Sequence, residues 1–140
     1  MEKILLDTSV LVKFFSPDEK DKKIDLLLDK IAQKKIKLIL VDVALYELVS
    51  ALSLSKKISS LTVFENIAAI LDLEPEIISF SADLIKRGLI FMEKFNLTIY
   101  DSLFIAAAEQ KKVPLLTADY KHHRKSISKN IVYYKEFNSV

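Results

Sequence analysis

The chain has 140 residues, 51% of them hydrophobic and 29% charged, and its formal net charge is +2. This length and apolar content suit one domain over residues 1–140 with a substantial core, and the net charge is too small to indicate a nucleic-acid partner by itself. The sequence contains no cysteine, which excludes a disulfide framework and thiolate metal sites.

The first half of the sequence alternates short apolar runs with helical patterns. Ile4–Leu6 and Leu38–Val41 have the length of strands buried on both faces of a parallel sheet. Between them, residues 8–15 predict a short helix or turn, and apolar residues at helical spacing predict a helix from Asp21 to Lys35. Asp42 is the predicted cap of the next helix. The apolar face of that helix is expected to carry Leu45, Leu48, Val49 and Leu52.

Three helices are predicted in the second half of the sequence. Leu61–Leu71 and Ser81–Lys94 have apolar residues at helical spacing, and Pro75 marks a loop between them. Thr98 is predicted to cap the last helix. No apolar run is long enough to span a bilayer, and the first residues do not have the pattern of a signal peptide. We therefore expect a soluble, cytoplasmic protein.

Two more strands are predicted near the C-terminus. They are Val113–Thr117 and Ile131–Tyr134, with a basic polar loop at Tyr120–Asn130 between them. Strands that alternate with helices indicate right-handed crossovers. The sequence therefore predicts an α/β fold with a mostly parallel sheet that helices cover on both faces.

Four acidic residues stand among apolar neighbours. Asp7 ends the first predicted strand, Glu47 interrupts an apolar helix, Asp101 lies near the start of the last helix, and Asp119 follows the third strand. A buried carboxylate is costly unless a positive group joins it. A divalent cation is the usual companion of several converging carboxylates. The pattern indicates metal-dependent chemistry on a phosphate.

These acids are expected to converge because sites in open α/β sheets form at the carboxyl ends of strands. Asp7 and Asp119 point into one crevice if their strands are neighbours. Two unit charges about 4 Å apart repel by roughly 4 kcal/mol at an effective dielectric of about 20. Gathered carboxylates therefore need a proton or a cation, and Mg²⁺ or Mn²⁺ suits an all-oxygen site.

Each acid also has a simpler explanation. Asp7 and Asp101 suit helix caps, and Asp119 suits a cap or a turn. Glu47 suits a solvated helix face. The combination of the four is a stronger signal than any single member.

Four sequence blocks carry a resemblance to a known family. Leu5–Leu11, Tyr46–Leu48, Tyr100–Ala108 and Leu115–Asp119 resemble the PIN-domain ribonucleases in order and approximate spacing, and among them the VapC-type toxins of prokaryotic toxin–antitoxin pairs. The resemblance implies a three-layer α/β/α sandwich with a central parallel sheet. It also implies an RNA substrate, a homodimer, and inhibition by a small antitoxin protein whose segment enters the active-site groove.

The resemblance also assigns roles to residues. Asp7, Glu47, Asp101 and Asp119 are the implied catalytic acids and the ligands of Mg²⁺ or Mn²⁺. Hydrolysis of an RNA phosphodiester is the implied reaction, with no covalent nucleophile in the protein and a 5′-phosphate product. The polar side chains beside the first and last acids, Thr8 and Thr117, are expected to hold a carboxylate or a water in place.

Basic and aromatic residues near these acids are candidates for RNA contacts. Lys121, Arg124 and Lys125 are expected to bind the RNA backbone, although a solvated basic loop explains them equally well. The adjacent His122 and His123 are predicted to be exposed loop residues. Of the two aromatic residues beside site acids, Tyr46 and Tyr100, at least one is predicted to pack in the core rather than to stack on a base.

Other functions with an acid after the first strand fit less well. A haloacid-dehalogenase-like phosphatase has a second Asp two residues after its nucleophile, where this sequence has Ser9. A response-regulator receiver needs a second acid beside the first strand and a late Lys, and neither is convincing. The alternative that stays open is a catalytically inactive PIN-like binding or scaffold module, in which the acids act as caps.

Overall fold

The computed structural model describes residues 1–54 and 57–138. Five strands in these ranges form one sheet: β1 (Glu2–Leu6), β2 (Ile36–Val41), β3 (Glu76–Ile78), β4 (Leu115–Thr117) and β5 (Ile131–Tyr133). The helices are α1 (Thr8–Leu11), α2 (Lys22–Ala32), α3 (Asp42–Ser53), α4 (Ser60–Asp72), α5 (Ala82–Phe95) and α6 (Ile99–Lys111). Single 3₁₀ turns lie at Val12–Phe14 and Tyr134–Glu136.

The sheet has the order β3-β2-β1-β4-β5, and every neighbouring pair is parallel. Together with the helices, it makes the predicted α/β/α sandwich. The chain starts in the central strand, moves outward through β2 and β3, and returns to the other side of β1 as β4. The strand order therefore reverses between β1 and β4, and ligands of open α/β sheets bind in the crevice outside such a point.

The core lies around β1 and α6. Ile4, Leu5 and Leu6 are fully buried, as expected for the central strand of a parallel sheet. In α6 the segment from Ser102 to Ala108 is also buried. A helix that is apolar on all sides is stable only inside a protein, so the composition of α6 accounts for its position.

Gly88, the only glycine in the sequence, allows α5 and α6 to approach closely. A Cβ atom added at this residue would lie 3.0 Å from a side-chain carbon of Leu103 and 3.3 Å from one of Ile99. The loss of helix propensity at Gly88 is offset by this packing between the two helices.

The structure corrects several predicted bounds. The loop expected around Pro75 contains the short edge strand β3. β4 begins two residues later than predicted, because the Val113 N–H still bonds to Ala108 at the end of α6 and Pro114 has no N–H to donate. The predicted helix Asp21–Lys35 is shorter: Asp21 caps it, and its last residue is Ala32. No helix in the described ranges is both long and apolar enough to cross a membrane.

Two predictions about α3 were also inaccurate. Asp42 lies inside its first turn rather than at the cap, and its carboxylate accepts a hydrogen bond from the Phe80 backbone N–H at 3.0 Å. The buried face of α3 consists of Ala44, Leu48 and Leu52, so Val49 is exposed instead. The prediction that Thr98 caps the last helix is confirmed, because its side chain accepts from the Asp101 N–H.

Candidate functional site

The candidate site lies at the carboxyl ends of β1 and β4, where the strand order reverses. Asp7 directly follows β1, Thr117 is the last residue of β4, and Asp119 comes two residues later. The two strands pair through Leu5 with Leu115 and Leu6 with Leu116. This pairing is the neighbour relation that the convergence of Asp7 and Asp119 requires.

Asp7 is held by side chains from both strands' ends. It is only 5% exposed, and its Oδ2 atom accepts hydrogen bonds from Ser9 Oγ at 2.8 Å and Thr117 Oγ1 at 2.7 Å. Its backbone occupies the cap position of α1, but its side chain makes no capping bond. The capping explanation for this acid is therefore wrong.

His123 completes the arrangement around Asp7. Its ring is 0% exposed and lies edge-on to Phe104, with 6.0 Å between the ring centroids. Nδ1 lies 3.1 Å from Asp7 Oδ2 and 3.2 Å from Thr117 Oγ1, and Nε2 lies 3.1 Å from the backbone oxygen of Asp101. The prediction that both adjacent histidines are exposed loop residues is wrong for His123. Asp7, Thr117 and His123 are called the inner cluster below.

The hydrogen-bond pattern identifies the protons of the inner cluster. The one hydroxyl proton of Thr117 goes to Asp7, so the His123 Nδ1 that faces both oxygen atoms must donate. Nε2 faces a carbonyl oxygen and must donate too. Burial lowers the pKa of His123, but the hydrogen bond and negative charge of Asp7 outweigh burial and raise that pKa above its ordinary value. Conversely, burial raises the pKa of Asp7, and His123, Thr117 and Ser9 together lower it below its ordinary range.

Glu47 lies in α3 and is half-buried. Its Oε1 accepts a hydrogen bond from Thr8 Oγ1 at 2.8 Å. Burial, followed by the negative charges of Asp7 and Asp101, raises the pKa of Glu47 despite that bond. Glu47 is therefore not the freely solvated residue of a helix face, and it shares the electrostatic environment of two other candidate acids.

Asp101 and Asp119 keep local hydrogen bonds as well as a place in the crevice. Asp101 lies in the first turn of α6, and its Oδ2 accepts from Thr98 Oγ1 at 3.1 Å. Asp119 donates its N–H to Thr117 Oγ1 at 2.9 Å, and its Oδ1 accepts from the His122 N–H at 3.1 Å. His122 Nδ1 also lies 3.2 Å from Oδ1 and 3.0 Å from Oδ2, so the turn explanation accounts for contacts of both oxygens of Asp119. Glu47, Asp101 and Asp119 are called the outer acids below.

The chemistry of this donor set suits a hard divalent cation, because all four acids supply oxygen ligands. Within the described ranges, all the hydrogen bonds of the Asp7 carboxylate go to Oδ2. Oδ1 accepts none there and is not fully buried, so it is accessible from outside the protein. No three Asp, Glu or His side chains within residues 1–54 and 57–138 already stand close enough together to coordinate one ion. Coordination therefore requires the outer acids to rotate toward Asp7.

The predicted RNA-binding residues differ in their surroundings. Lys121, Arg124 and Lys125 are exposed. The Lys125 ammonium group pairs with Glu136 and lies 4.6 Å from the centroid of the Tyr133 ring, so it already has protein partners.

The two tyrosines beside the acids are both at the surface. Tyr46 is 77% exposed and Tyr100 is 54% exposed. The prediction that at least one of them packs in the core is therefore wrong, and both rings are available for contacts outside the chain.

Sequence reasoning missed the roles of His123 and Ser9. Besides its bond to Asp7, Ser9 accepts from the Ala118 N–H at 2.9 Å and so joins the two strand ends. No sequence pattern distinguishes His123 from His122, because the two histidines are adjacent in the same loop. Which of them turns inward depends on the backbone conformation of that loop. The turn that does so is set by the His123 N–H, which donates to the Asp119 backbone oxygen at 3.0 Å.

Comparisons with known proteins agree with this architecture. The family model of the PIN domain matches residues 4–127. A comparison with curated proteins finds no significant match. Three solved structures under 25% identical show the same fold. The first is a toxin–antitoxin complex from Klebsiella pneumoniae, with a TM-score of 0.70 and 18% identity over 96% of this chain and 99% of that chain. The second is VapBC2 from Rickettsia felis bound to a DNA fragment from its promoter, with a TM-score of 0.70 and 22% identity over 94% of this chain and 96% of that chain. The third is FitAcB from Neisseria gonorrhoeae, with a TM-score of 0.68 and 18% identity over 96% of this chain and 99% of that chain.

Proposed function

The chain belongs to the PIN domain family, and on that premise we propose that it is a metal-dependent endoribonuclease and the toxin of a VapBC-type toxin–antitoxin pair. Its substrate is RNA, and its site consists of Asp7, Glu47, Asp101 and Asp119. It acts in the cytoplasm. The family match supports the nuclease class, and the toxin–antitoxin complexes with this fold support the biological role.

The observation that carries the proposal is the unbalanced negative charge of the crevice. The negative charges of Asp7 and Asp101 both raise the pKa of Glu47, so Glu47 lies within reach of two like charges. Among the described residues, two histidines face these four acids: His123 lies against Asp7 and the backbone of Asp101, and His122 Nδ1 lies 3.0 Å from Asp119 Oδ2. A divalent cation among the outer acids relieves the remaining repulsion.

The site residues have two proposed roles in the reaction, which are to bind the cation and to orient the residues that bind it. Asp7 and the outer acids would hold Mg²⁺ or Mn²⁺, which would supply an activated water and neutralise charge that develops on the phosphate. Thr8 orients Glu47 through its 2.8 Å hydrogen bond, and Thr117 orients Asp7 through its 2.7 Å bond. These hydroxyl groups reduce the side-chain freedom that cation binding would otherwise remove.

The exposed basic residues after Asp119 are proposed to hold the RNA backbone. Lys121 and Arg124 lie at the surface close in sequence to the crevice and offset the repulsion between the acids and the phosphates. Lys125 contributes less, because Glu136 partly neutralises it. The exposed Tyr46 and Tyr100 are available to stack on unpaired bases.

Two partners complete the proposal. A small antitoxin protein occupies the active-site groove and blocks access to the acids. A second copy of the chain forms a homodimer. Both expectations derive from the family resemblance, and the Klebsiella pneumoniae toxin–antitoxin complex with this fold supports the first of them.

Cleavage of RNA in the presence of Mn²⁺ tests the proposal. Wild-type protein is expected to cleave a mixed-sequence RNA, and Asp7→Asn is expected to lose at least about 100-fold in rate, since it removes one candidate ligand charge. Asp83→Asn is the matched control, because this exposed acid pairs with Arg87 on α5 and lies outside the site. Equal rates for wild type and Asp7→Asn would refute the proposed site.

An inactive scaffold is the second candidate function, and one observation favours it. Asp7 already has three hydrogen-bond partners in the protein, and no three ligand side chains in the described part of the chain are preassembled for an ion. A scaffold would gain no thermal stability from Mn²⁺, whereas the nuclease is stabilised by mass action. A melting temperature that rises with Mn²⁺ in wild type but not in Asp101→Asn would exclude the scaffold.

A further inference from the structure

One side chain joins the acids on two sides of the crevice. Among the described residues, only His123 hydrogen-bonds both to Asp7 and to Asp101, through Nδ1 at 3.1 Å and Nε2 at 3.1 Å respectively. We propose that His123 is a positioning residue that sets the separation and orientation of Asp7 and Asp101 for a divalent cation. This inference rests on the proposed metal-dependent function and adds a residue that the sequence motifs do not contain.

The surroundings of His123 make it a rigid spacer. Its side chain is completely buried, the Phe104 ring lies edge-on against it, and its own N–H is bonded to the Asp119 backbone oxygen at 3.0 Å. The two ring nitrogens lie at a fixed separation in a planar ring. Any hydrogen-bonded pair of groups on its two sides is therefore held at a nearly constant distance.

The contact with Asp7 determines which carboxylate oxygen is available. Nδ1 lies against Oδ2, the same atom that accepts from Ser9 and Thr117. With Oδ2 saturated, Oδ1 is the oxygen left for an external cation. If the His123 contact is lost, the bonds from Ser9 and Thr117 remain, but the last torsion of Asp7, which has a broad energy profile, is held by two hydrogen bonds instead of three.

The contact with Asp101 is made to its backbone rather than its carboxylate. Nε2 lies 3.1 Å from the carbonyl oxygen but 3.9 Å from Oδ1, which is too far for a hydrogen bond. The bond therefore anchors the first turn of α6 against the strand ends and takes up neither oxygen of the Asp101 carboxylate, whose Oδ2 accepts from Thr98 Oγ1. A residue that consumed this carboxylate would compete with the cation.

Three substitutions separate the two contacts. His123→Phe fills the ring volume beside Phe104 and removes both hydrogen bonds. His123→Asn places an amide near the position of Nδ1 and keeps a donor for Asp7 only. His123→Gln reaches toward the position of Nε2 and keeps a donor for the Asp101 carbonyl group only.

The experiment measures the apparent dissociation constant of Mn²⁺ from thermal shifts of each variant, with steady-state RNA cleavage as a second readout. His123→Phe is expected to weaken Mn²⁺ binding by about tenfold to 100-fold, as loss of a group that orients a metal ligand usually does. His123→Asn and His123→Gln are expected to fall between wild type and His123→Phe. At saturating Mn²⁺ the KM for RNA is expected to stay near the wild-type value while kcat falls.

A matched variant separates positioning from general stability. Ile31→Ala truncates a buried side chain of α2, an element that contains none of the site residues, and it lowers the melting temperature without touching the crevice. Its Mn²⁺ affinity is expected to equal that of wild type. If His123→Phe binds Mn²⁺ as tightly as wild type, the inference about His123 is overturned while the proposed function stands. If the Phe variant does not fold, wild-type Mn²⁺ affinity in both His123→Asn and His123→Gln has the same consequence. A wild-type protein without any response to Mn²⁺ would overturn the proposed function and, with it, the inference.

Discussion

The inner cluster and the outer acids contain the same kind of residue in two different electrostatic states. Asp7 is buried, saturated by hydrogen bonds at Oδ2 and paired with His123, and its pKa is lowered. Glu47 is half-buried, has one hydrogen bond, faces two like charges, and has a raised pKa. The contrast teaches that hydrogen bonds within the protein balance the charge of Asp7, whereas Glu47 keeps two negative charges close to it without a cationic partner of its own among the hydrogen bonds of the described residues.

The largest expected effect is on the inner cluster. Asp7→Ala removes the partner of a buried imidazolium and leaves the Thr117 hydroxyl unpaired. Breaking a buried pair in this way is expected to lower the free energy of unfolding by about 3 kcal/mol. Urea unfolding in EDTA measures it, with Asp83→Ala on the surface of α5 as control. A loss below about 1 kcal/mol would remove the distinction between the two groups of acids.

The dependence of stability on pH sharpens the same comparison. The pKa of His123 is raised above 6.5, so its stabilisation is complete below pH 6.5 and is lost as the pH rises through the folded-state pKa. The pKa of Asp7 is lowered below 3.8, so its stabilisation is present above pH 3.8 and is lost as the pH falls through the folded-state pKa. Metal-free protein is therefore expected to have its highest free energy of unfolding between about pH 3.8 and pH 6.5, where both contributions are present. The measurement is a series of urea unfolding curves, and His123→Phe should lose the alkaline part of the profile.

A smaller effect is expected from the two threonines. Thr117→Val leaves a buried carboxylate with one donor fewer and the Asp119 N–H without its acceptor, at a cost of about 1 to 3 kcal/mol in unfolding free energy. Thr8→Val removes one bond to the half-buried Glu47 and is expected to cost less than about 1 kcal/mol. Thermal unfolding of the two variants side by side checks the order, and a greater loss for Thr8→Val would contradict it.

The smallest expected effect is that of Glu47→Gln on the free energy of unfolding, and its sign is expected to differ with and without Mn²⁺. Glu47→Gln removes a negative charge that Asp7 and Asp101 repel. Without metal it is expected to raise the unfolding free energy by a few tenths of a kcal/mol, a value reduced by solvent screening at this partly exposed group. In Mn²⁺ the same variant should be less stable than wild type, because a ligand is missing. Calorimetry in EDTA and in Mn²⁺ measures the change in unfolding free energy that Glu47→Gln causes under each condition. A change of the same sign under both conditions would argue against Glu47 as a ligand.

The sequence predicted the parts of the fold that depend on local patterns. The apolar run that forms β1 and the periodicity of α2 are strong signals, and Thr98 is a preferred capping residue. In contrast, β3 has only three residues at the sheet edge, too few to show a pattern. Asp42 was misassigned because a carboxylate beside a helix start suits a cap, whereas here the distant Phe80 N–H provides its partner.

The sequence was sufficient to predict the acids of the candidate site but not the side chains that hydrogen-bond to them. Asp7 and Asp119 follow strands that pattern alone identifies, and a parallel sheet brings strand ends to one edge. The contacts of His123 and Ser9 connect residues more than 100 positions apart in sequence. Such contacts depend on the rotation of a single loop turn, and hydrophobic periodicity carries no information about that rotation.

The sheet order has a consequence for the synthesis of the protein. The central strand β1 leaves the ribosome first, but its neighbour β4 begins at Leu115 and the ring that pairs with Asp7 belongs to residue 123. Contacts of such long sequence separation form late and slowly. A nascent chain that ends before α6 therefore lacks the crevice altogether. If this protein cleaves RNA, it can do so only after residue 123 has been translated and has reached Asp7.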